Sequence, residues 1–222
     1  MLGREVLFPN GKKGIVTVHR PPIVFVLADM ERLDDIQGPV RVLDRLASIS
    51  HSLEYISACV EEDMSSDSDS MKRAIFAPIP QVKDIALINN PMLTGITMID
   101  ALAPIGRGQN MLLIGHDITD MRGYICDFLS VQKESTKCIY AATSEKDVIK
   151  RVLSDAGLLD SVTLVAHSSK EDMDDATRGA EATTVAATAC AIAESFALEK
   201  GLNTLVIVDT IDQHKVLWVV ID

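Results

Sequence analysis

Residues 137–166 read KCIYAATSEKDVIKRVLSDAGLLDSVTLVA. The apolar runs at 137–142 and 162–166 are short enough for buried strands, and the segment between them, about 145–156, is typical of a helix. A strand, a helix and a second strand in this order predict a βαβ unit with parallel strands. This stretch therefore indicates an α/β fold with a mostly parallel sheet.

The same alternation extends to both sides of this stretch, over the chain from about residue 80 onward. Further strands are predicted at 111–114, 205–208 and 216–221, and further helices at about 121–133 and 177–199. The last of these helices is followed by Lys200 and Gly201, a cation and a glycine that together are a typical helix stop signal. The sequence therefore predicts repeated strand and helix units.

The first 60 residues have a different pattern. Short apolar runs are separated by Gly and Pro turn residues, which predicts part of a small β-barrel with strands near 6–8, 14–18, 23–28 and 40–43. Residues 61–70 are acidic and rich in serine, and such a run buries too little apolar surface to become ordered. We therefore expect a partial barrel over 1–60, an acidic flexible loop or linker over 61–80 and an α/β domain over 81–222.

The composition excludes several classes of protein. The 222 residues include 21 Lys and Arg against 32 Asp and Glu, a formal net charge of −11. We expect no nucleic-acid binding, because cations are needed to displace the counterions of phosphate. No apolar run approaches the roughly 18 residues that span a bilayer, so we expect no membrane insertion. The N-terminal residues have no apolar signal core, and we expect no targeting signal in this chain.

Residues 91–115 carry the most specific motif, PMLTGITMIDALAPIGRGQNMLLIG. It resembles the entry to the nucleotide-binding domain of rotary (F-type) ATP synthase head subunits, most of all the alpha subunit. Weaker similarity at 8–14, 138–142, 193–196 and 205–209 extends the resemblance over most of the chain. The resemblance implies that the partial barrel is followed by a P-loop NTPase-like parallel sheet with flanking helices, so that 81–222 is a truncated nucleotide-binding-like domain.

The phosphate loop departs from the family pattern G-x-x-x-x-G-K-[ST]. In that pattern backbone N–H groups cradle the phosphates, the Lys neutralises them and the hydroxyl binds Mg²⁺. The corresponding residues are Gly115, His116, Asp117, Ile118, Thr119, Asp120, Met121 and Arg122. The first glycine is kept, but an aspartate, a methionine and an arginine replace the last three positions. We expect a degenerate loop that binds no phosphate; the alternative is that Arg122 turns back to contact one.

Two acidic residues keep positions that matter in the family. Asp209 follows an apolar strand, and the resemblance implies that it contacts the magnesium shell. Glu145 follows the second strand, where the catalytic subunit carries its water-activating Glu; the alternative is a favourable charge in the first turn of a helix. The chain stops thirteen residues after Asp209, so we expect it to lack the helical C-terminal domain of the family.

Two functions follow from the resemblance. The first is an alpha-subunit-like protein, non-catalytic, that acts through contacts with ATP synthase head subunits or with itself. The second is a divergent ATP-binding subunit of a proton-translocating ATP synthase or ATPase, which uses ATP or ADP with Mg²⁺ through Asp209 and Glu145. The resemblance implies a mitochondrial or chloroplast location, without a signal in this chain to support it.

Overall fold

A computed structural model describes residues 1–28, 36, 38–56, 58–59, 69–78, 81–84, 87–167 and 173–215. Its strands are β1 (Arg4–Leu7), β2 (Lys13–Arg20), β3 (Ile23–Ala28), β4 (Arg41–Leu46), β5 (Ala58–Cys59), β6 (Pro91–Met92), β7 (Ile105–Gly106), β8 (Lys137–Ala142), β9 (Val162–Ala166) and β10 (Thr204–Val208). Its α-helices are α1 (Ile49–Ser52), α2 (Thr97–Leu102), α3 (Ile118–Gln132), α4 (Lys146–Asp155) and α5 (Asp175–Lys200). The predicted strand at 216–221 and most of the predicted acidic loop at 61–70 lie outside the described residues.

The N-terminal strands form one antiparallel sheet, in the order β3-β2-β1-β4. Asn10 in the turn after β1 accepts a hydrogen bond from the backbone N–H of Lys12, which is the turn chemistry expected of asparagine. Val6, Phe8 and Val16 form a small buried cluster on this sheet. The predicted β region is confirmed as an antiparallel sheet, whereas the barrel and the boundaries at 60 and 80 remain predictions.

The second sheet has the order β10-β8-β9-β5. β8 pairs in parallel with both β9 and β10, and β5 adds an antiparallel strand at the far edge. The βαβ unit read from 137–166 is confirmed, with both strands at the predicted bounds and α4 between them. Together with the N-terminal antiparallel sheet, these parallel strands and their helices confirm the α/β fold class.

Alternate residues of β8 face two different helical layers. Ile139 and Ala141 pack with Val185 and Ile192 of α5 on one face. Cys138, Tyr140 and Ala142 pack on the other face, in a cluster that includes Leu129 of α3 and Ile149 of α4. The cluster on the α5 face also contains Ile15, Ala47 and Ile49, so the N-terminal sheet shares a core with the second sheet. Because helices cover both faces, the parallel strands are nearly continuous apolar runs.

Local signals explain the bounds of α5. The Asp174 carboxylate accepts a hydrogen bond of 2.7 Å from the Thr177 N–H at the start of the helix. The helix ends at Gly201, which has φ = 65°, a left-handed conformation that glycine adopts without a Cβ penalty. The stop signal read at residues 200 and 201 is therefore confirmed.

The predicted strand at 111–114 is wrong. These residues belong to no strand and are exposed, Ile114 by 88% and Leu112 by 66%. In the described part of the chain β10 pairs only with β8, and its other edge has no partner. A strand needs a neighbouring strand to satisfy its backbone groups, and an apolar run shows a tendency to be buried without showing what will bury it.

Candidate functional site

The candidate site lies where the parallel strands of the second sheet end. Ser144 and Glu145 follow β8, and Asp209 follows β10 directly. Arg122 lies on α3 and reaches the same point from the side of that helix. Carboxyl ends of parallel strands share one edge of a sheet, and ligand sites of open α/β folds lie at that edge.

Arg122 and Asp209 form a buried, two-pronged ion pair. The guanidinium Nε donates to Oδ1 of Asp209 over 3.1 Å, and an Nη donates to Oδ2 over 2.9 Å. The side chains are 6% and 0% exposed, respectively. A planar guanidinium matches a carboxylate in this way, and charge-assisted pairs are stronger than neutral hydrogen bonds. The pair joins α3 to the end of β10.

Two neutral donors complete the surroundings of Asp209. The Tyr140 hydroxyl donates to Oδ1 over 2.7 Å and the Ser144 hydroxyl donates to Oδ2 over 2.8 Å. Burial acts to raise the pKa of Asp209, but the hydrogen bonds from Arg122, Tyr140 and Ser144 outweigh it, so the pKa lies below its usual range. The pKa of Tyr140 is raised by burial and by the Asp209 charge. Asp209 is therefore ionised and Tyr140 neutral at neutral pH.

Glu145 lies at the open side of the cluster. Its carboxylate is 3.3 Å from the Arg122 guanidinium and its side chain is 64% exposed. Glu145 is the N-cap residue of α4, but its side chain makes no capping hydrogen bond. The hydrogen bonds to Asp209 are the main cause that raises the pKa of Arg122, and the hydrogen bond to Glu145 is a smaller one. The structure thus brings together three predicted site residues: Arg122, Glu145 and Asp209.

The ends of the strands are held by further contacts that the sequence did not reveal. Thr143 donates to the Thr210 carbonyl over 2.7 Å, and the Thr210 N–H donates back to the Thr143 hydroxyl over 3.2 Å. His167, after β9, makes a hydrogen bond with the Ser144 carbonyl through Nε2. The one available signal was position, since Thr143, Ser144 and His167 all follow predicted strands.

The rest of the loop at 115–121 stays outside this cluster. Asp117 caps α3, its Oδ1 accepting from the Thr119 N–H over 2.7 Å, and this backbone hydrogen bond lowers the pKa of Asp117. Met121 packs against Gly115, where a Cβ would lie 2.5 Å from the Met121 sulfur. His116, Ile118, Thr119 and Asp120 are exposed. The α3 N-terminus therefore carries a carboxylate of the chain itself.

A comparison with protein families matches the part of the chain that contains these residues. The model of the ATP synthase alpha/beta family, nucleotide-binding domain, matches residues 95–216, more than half of the chain. The chain belongs to this family. The match includes the loop, α3 and β10, so Arg122, Glu145 and Asp209 all lie inside the family's nucleotide-binding domain.

Relatives in this family extend over nearly the whole chain. ATP synthase alpha subunits of Buchnera aphidicola subsp. Acyrthosiphon pisum, strains Tuc7, 5A and APS, are each 28% identical over 98% of it. The chain spans 44% of the length of each of these relatives. All three are bacterial, so they do not support the mitochondrial or chloroplast location implied by the resemblance. None of the helices among the described residues is both long and apolar enough to cross a membrane.

Proposed function

We propose that this chain is a non-catalytic, alpha-like subunit that acts through contacts with ATP synthase head subunits or with a second copy of itself. The observation that carries the proposal is the α3 N-terminus, where the Asp117 carboxylate accepts the backbone hydrogen bond that an anion could take. A phosphate at this position would compete with that carboxylate and be repelled by it.

The neighbouring residues do not fit a magnesium nucleotide either. Asp120 adds a second negative charge in the first turn of α3. Met121 stands where the family pattern has its Lys, so a charge-assisted contact of about 1.5–3 kcal/mol is missing. Its thioether lies against Gly115 inside the loop. These features support a loop that holds no nucleotide.

The first expected result concerns nucleotide binding. Mg-ATP should leave the thermal midpoint of the wild-type chain unchanged, whereas a ligand at one hundred times its Kd adds about 2.7 kcal/mol of stability. The variant D120G/M121K/R122T restores the family pattern and should gain a midpoint shift with Mg-ATP. Differential scanning fluorimetry measures both, with Mg-AMP as the control ligand. A wild-type shift of about 5 °C or more would count against the proposal.

A divergent ATP-binding subunit is the second candidate, and the retained Asp209 at the end of β10 favours it. As an enzyme, such a subunit requires turnover by the unmodified protein. Magnesium-dependent phosphate release that disappears in Asp209→Asn, at a temperature where circular dichroism shows the variant to be folded, would establish this function in place of the non-catalytic one. We expect instead that the protein releases phosphate from Mg-ATP no faster than buffer alone does.

The proposed contacts are expected to involve the apolar segment at 111–114. All four of its side chains are exposed, and the neighbouring Ile118 of α3 is exposed by 39%. Contiguous exposed apolar surface marks interaction sites. Because the family consists of subunits that assemble, a head subunit or a second copy is the natural partner to test.

The second expected result tests this surface. The wild-type chain should co-purify with ATP synthase alpha and beta subunits, or elute as an oligomer, and L112D/I114D should reduce either association at least tenfold. Leu198→Asp is the matched control, since Leu198 is 71% exposed on α5, the helix on the other face of the sheet. A wild-type chain that is monomeric by light scattering and retains no head subunit would contradict the proposal.

A further inference from the structure

Hydrogen bonds from the described residues occupy the lone pairs of the Asp209 carboxylate. A carboxylate has about four lone-pair sites. Each oxygen of Asp209 already accepts two hydrogen bonds: Oδ1 from Arg122 and Tyr140, and Oδ2 from Arg122 and Ser144. A metal or a metal-bound water would have to displace at least one of these donors.

We propose that the Arg122 guanidinium is a covalently attached cation that takes the place of a divalent metal at Asp209. It contacts three oxygen-bearing side chains: Asp209 on two atoms, Glu145 at 3.3 Å and the Ser144 hydroxyl at 3.4 Å. Carboxylate and hydroxyl oxygens are the ligands that Mg²⁺ and Mn²⁺ prefer. One positive group therefore occupies the centre of an oxygen-lined site.

Arg122 lies at the position of the phosphate loop where the family pattern has a metal-binding hydroxyl. Arg122 replaces the hydroxyl residue of the family pattern, which binds Mg²⁺ there. In this chain the same position contacts Asp209 directly, across 87 residues of sequence. The ion pair thus joins α3 to the end of β10, and the hydrogen bonds of Tyr140 and Ser144 to Asp209 connect it to β8. The inference goes beyond the proposed function, since it holds whether or not the chain binds a head subunit.

The expected consequence is a wild-type protein that is indifferent to divalent metal. Its thermal midpoint should be the same in EDTA and in millimolar Mn²⁺, and Mn²⁺ added to it should keep the electron paramagnetic resonance signal of the free ion. Mn²⁺ is used alone, without nucleotide, so that the result is independent of the tests of ATP binding and of head assembly.

The variant Arg122→Thr should convert the site into one that needs a metal. In EDTA the buried Asp209 charge loses its counter-ion, and the midpoint should fall by about 6 °C or more. Mn²⁺ should restore at least half of this loss, because Asp209, Ser144, Glu145 and the introduced hydroxyl can share the ion. Arg122→Thr/Asp209→Asn should show no response to Mn²⁺. Arg151→Thr, at an exposed arginine of α4, is the matched control and should behave as wild type.

Three results would overturn the proposal: a wild-type midpoint that rises with Mn²⁺, an Arg122→Thr variant as stable in EDTA as wild type, or a Mn²⁺ response of that variant no larger than in the double variant. If Arg122→Thr does not fold in EDTA, its refolding yield replaces the midpoint, and equal yields with and without Mn²⁺ overturn the proposal. Arg122→Lys keeps a cation and should fold and remain indifferent to Mn²⁺.

Discussion

Replacement of Asp209 by alanine is expected to destabilise the protein by about 3 kcal/mol, because it leaves the buried Arg122 guanidinium without its counter-ion. This value is at the low end of the usual range, since Glu145 is 64% exposed and the guanidinium retains a partner on the solvent side. For a chain of this length the thermal midpoint should fall by about 6–12 °C. Urea unfolding followed by circular dichroism measures the change.

A paired replacement separates the lost charge balance from lost packing. Arg122→Met/Asp209→Leu removes both charges and fills a similar volume, and such exchanges are often neutral or stabilising. It should therefore be more stable than Asp209→Ala alone. If the double variant is as unstable as Asp209→Ala, the effect comes from packing at this edge of the sheet and not from the orphaned charge.

The pH dependence of the Asp209→Ala effect has a definite sign. The pKa of Asp209 is lowered in the folded protein, because the hydrogen bonds from Arg122, Tyr140 and Ser144 outweigh burial. A carboxyl of this kind contributes stability above its unfolded pKa, about 3.9, and loses that contribution as the pH falls through its folded pKa. The difference between wild type and Asp209→Ala should stay constant at neutral pH and become smaller in acid. A difference that grows on acidification would contradict the ionised state.

Truncation of Ile139 to alanine is the second large effect that we expect. Ile139 lies in the middle of β8, fully buried against the cluster that includes Val185 and Ile192 of α5. The loss of buried methylenes and the cavity that remains should cost about 3–4 kcal/mol, a large fraction of the 5–15 kcal/mol that stabilises a typical domain. Chemical denaturation with urea gives the value.

Two further variants serve as controls for the Ile139→Ala measurement. Ile139→Val removes one methylene and should cost about 0.5–1.5 kcal/mol. Leu198 lies on an exposed part of α5, so Leu198→Ala should change the free energy of unfolding by no more than about 0.5 kcal/mol. A loss below about 1 kcal/mol for Ile139→Ala would mean that the interface between β8 and α5 is not the tightly packed core described above.

Much of the second sheet could be predicted because its signals are local. The runs at 137–142 and 162–166 became β8 and β9 at the predicted bounds. The helix read at 177–199 is α5, Asp175–Lys200, two residues longer at its start and one at its end. A strand that is buried on both faces, or a helix that ends at a glycine, can be recognised from a few consecutive residues.

The segment at 111–114 shows where local signals fail. Its four consecutive apolar residues are typical of a buried strand, yet they are exposed and belong to no strand. Whether an apolar run enters a sheet depends on a neighbouring edge, which the run itself does not specify.

The α/β alternation, the family resemblance and the loss of the phosphate-loop lysine could all be read from the amino-acid sequence, since each depends on short runs of neighbouring residues. The role of Arg122 could be read only from the folded chain. From the sequence it was a degenerate loop residue that binds nothing or turns back to a phosphate; in the fold it pairs with Asp209, 87 residues away, beside Tyr140 and Ser144. A buried charge is stabilised only by partners that the fold brings within hydrogen-bond distance. For Arg122 that distance is set by the packing of α3 against β8 and β10 and not by separation along the chain.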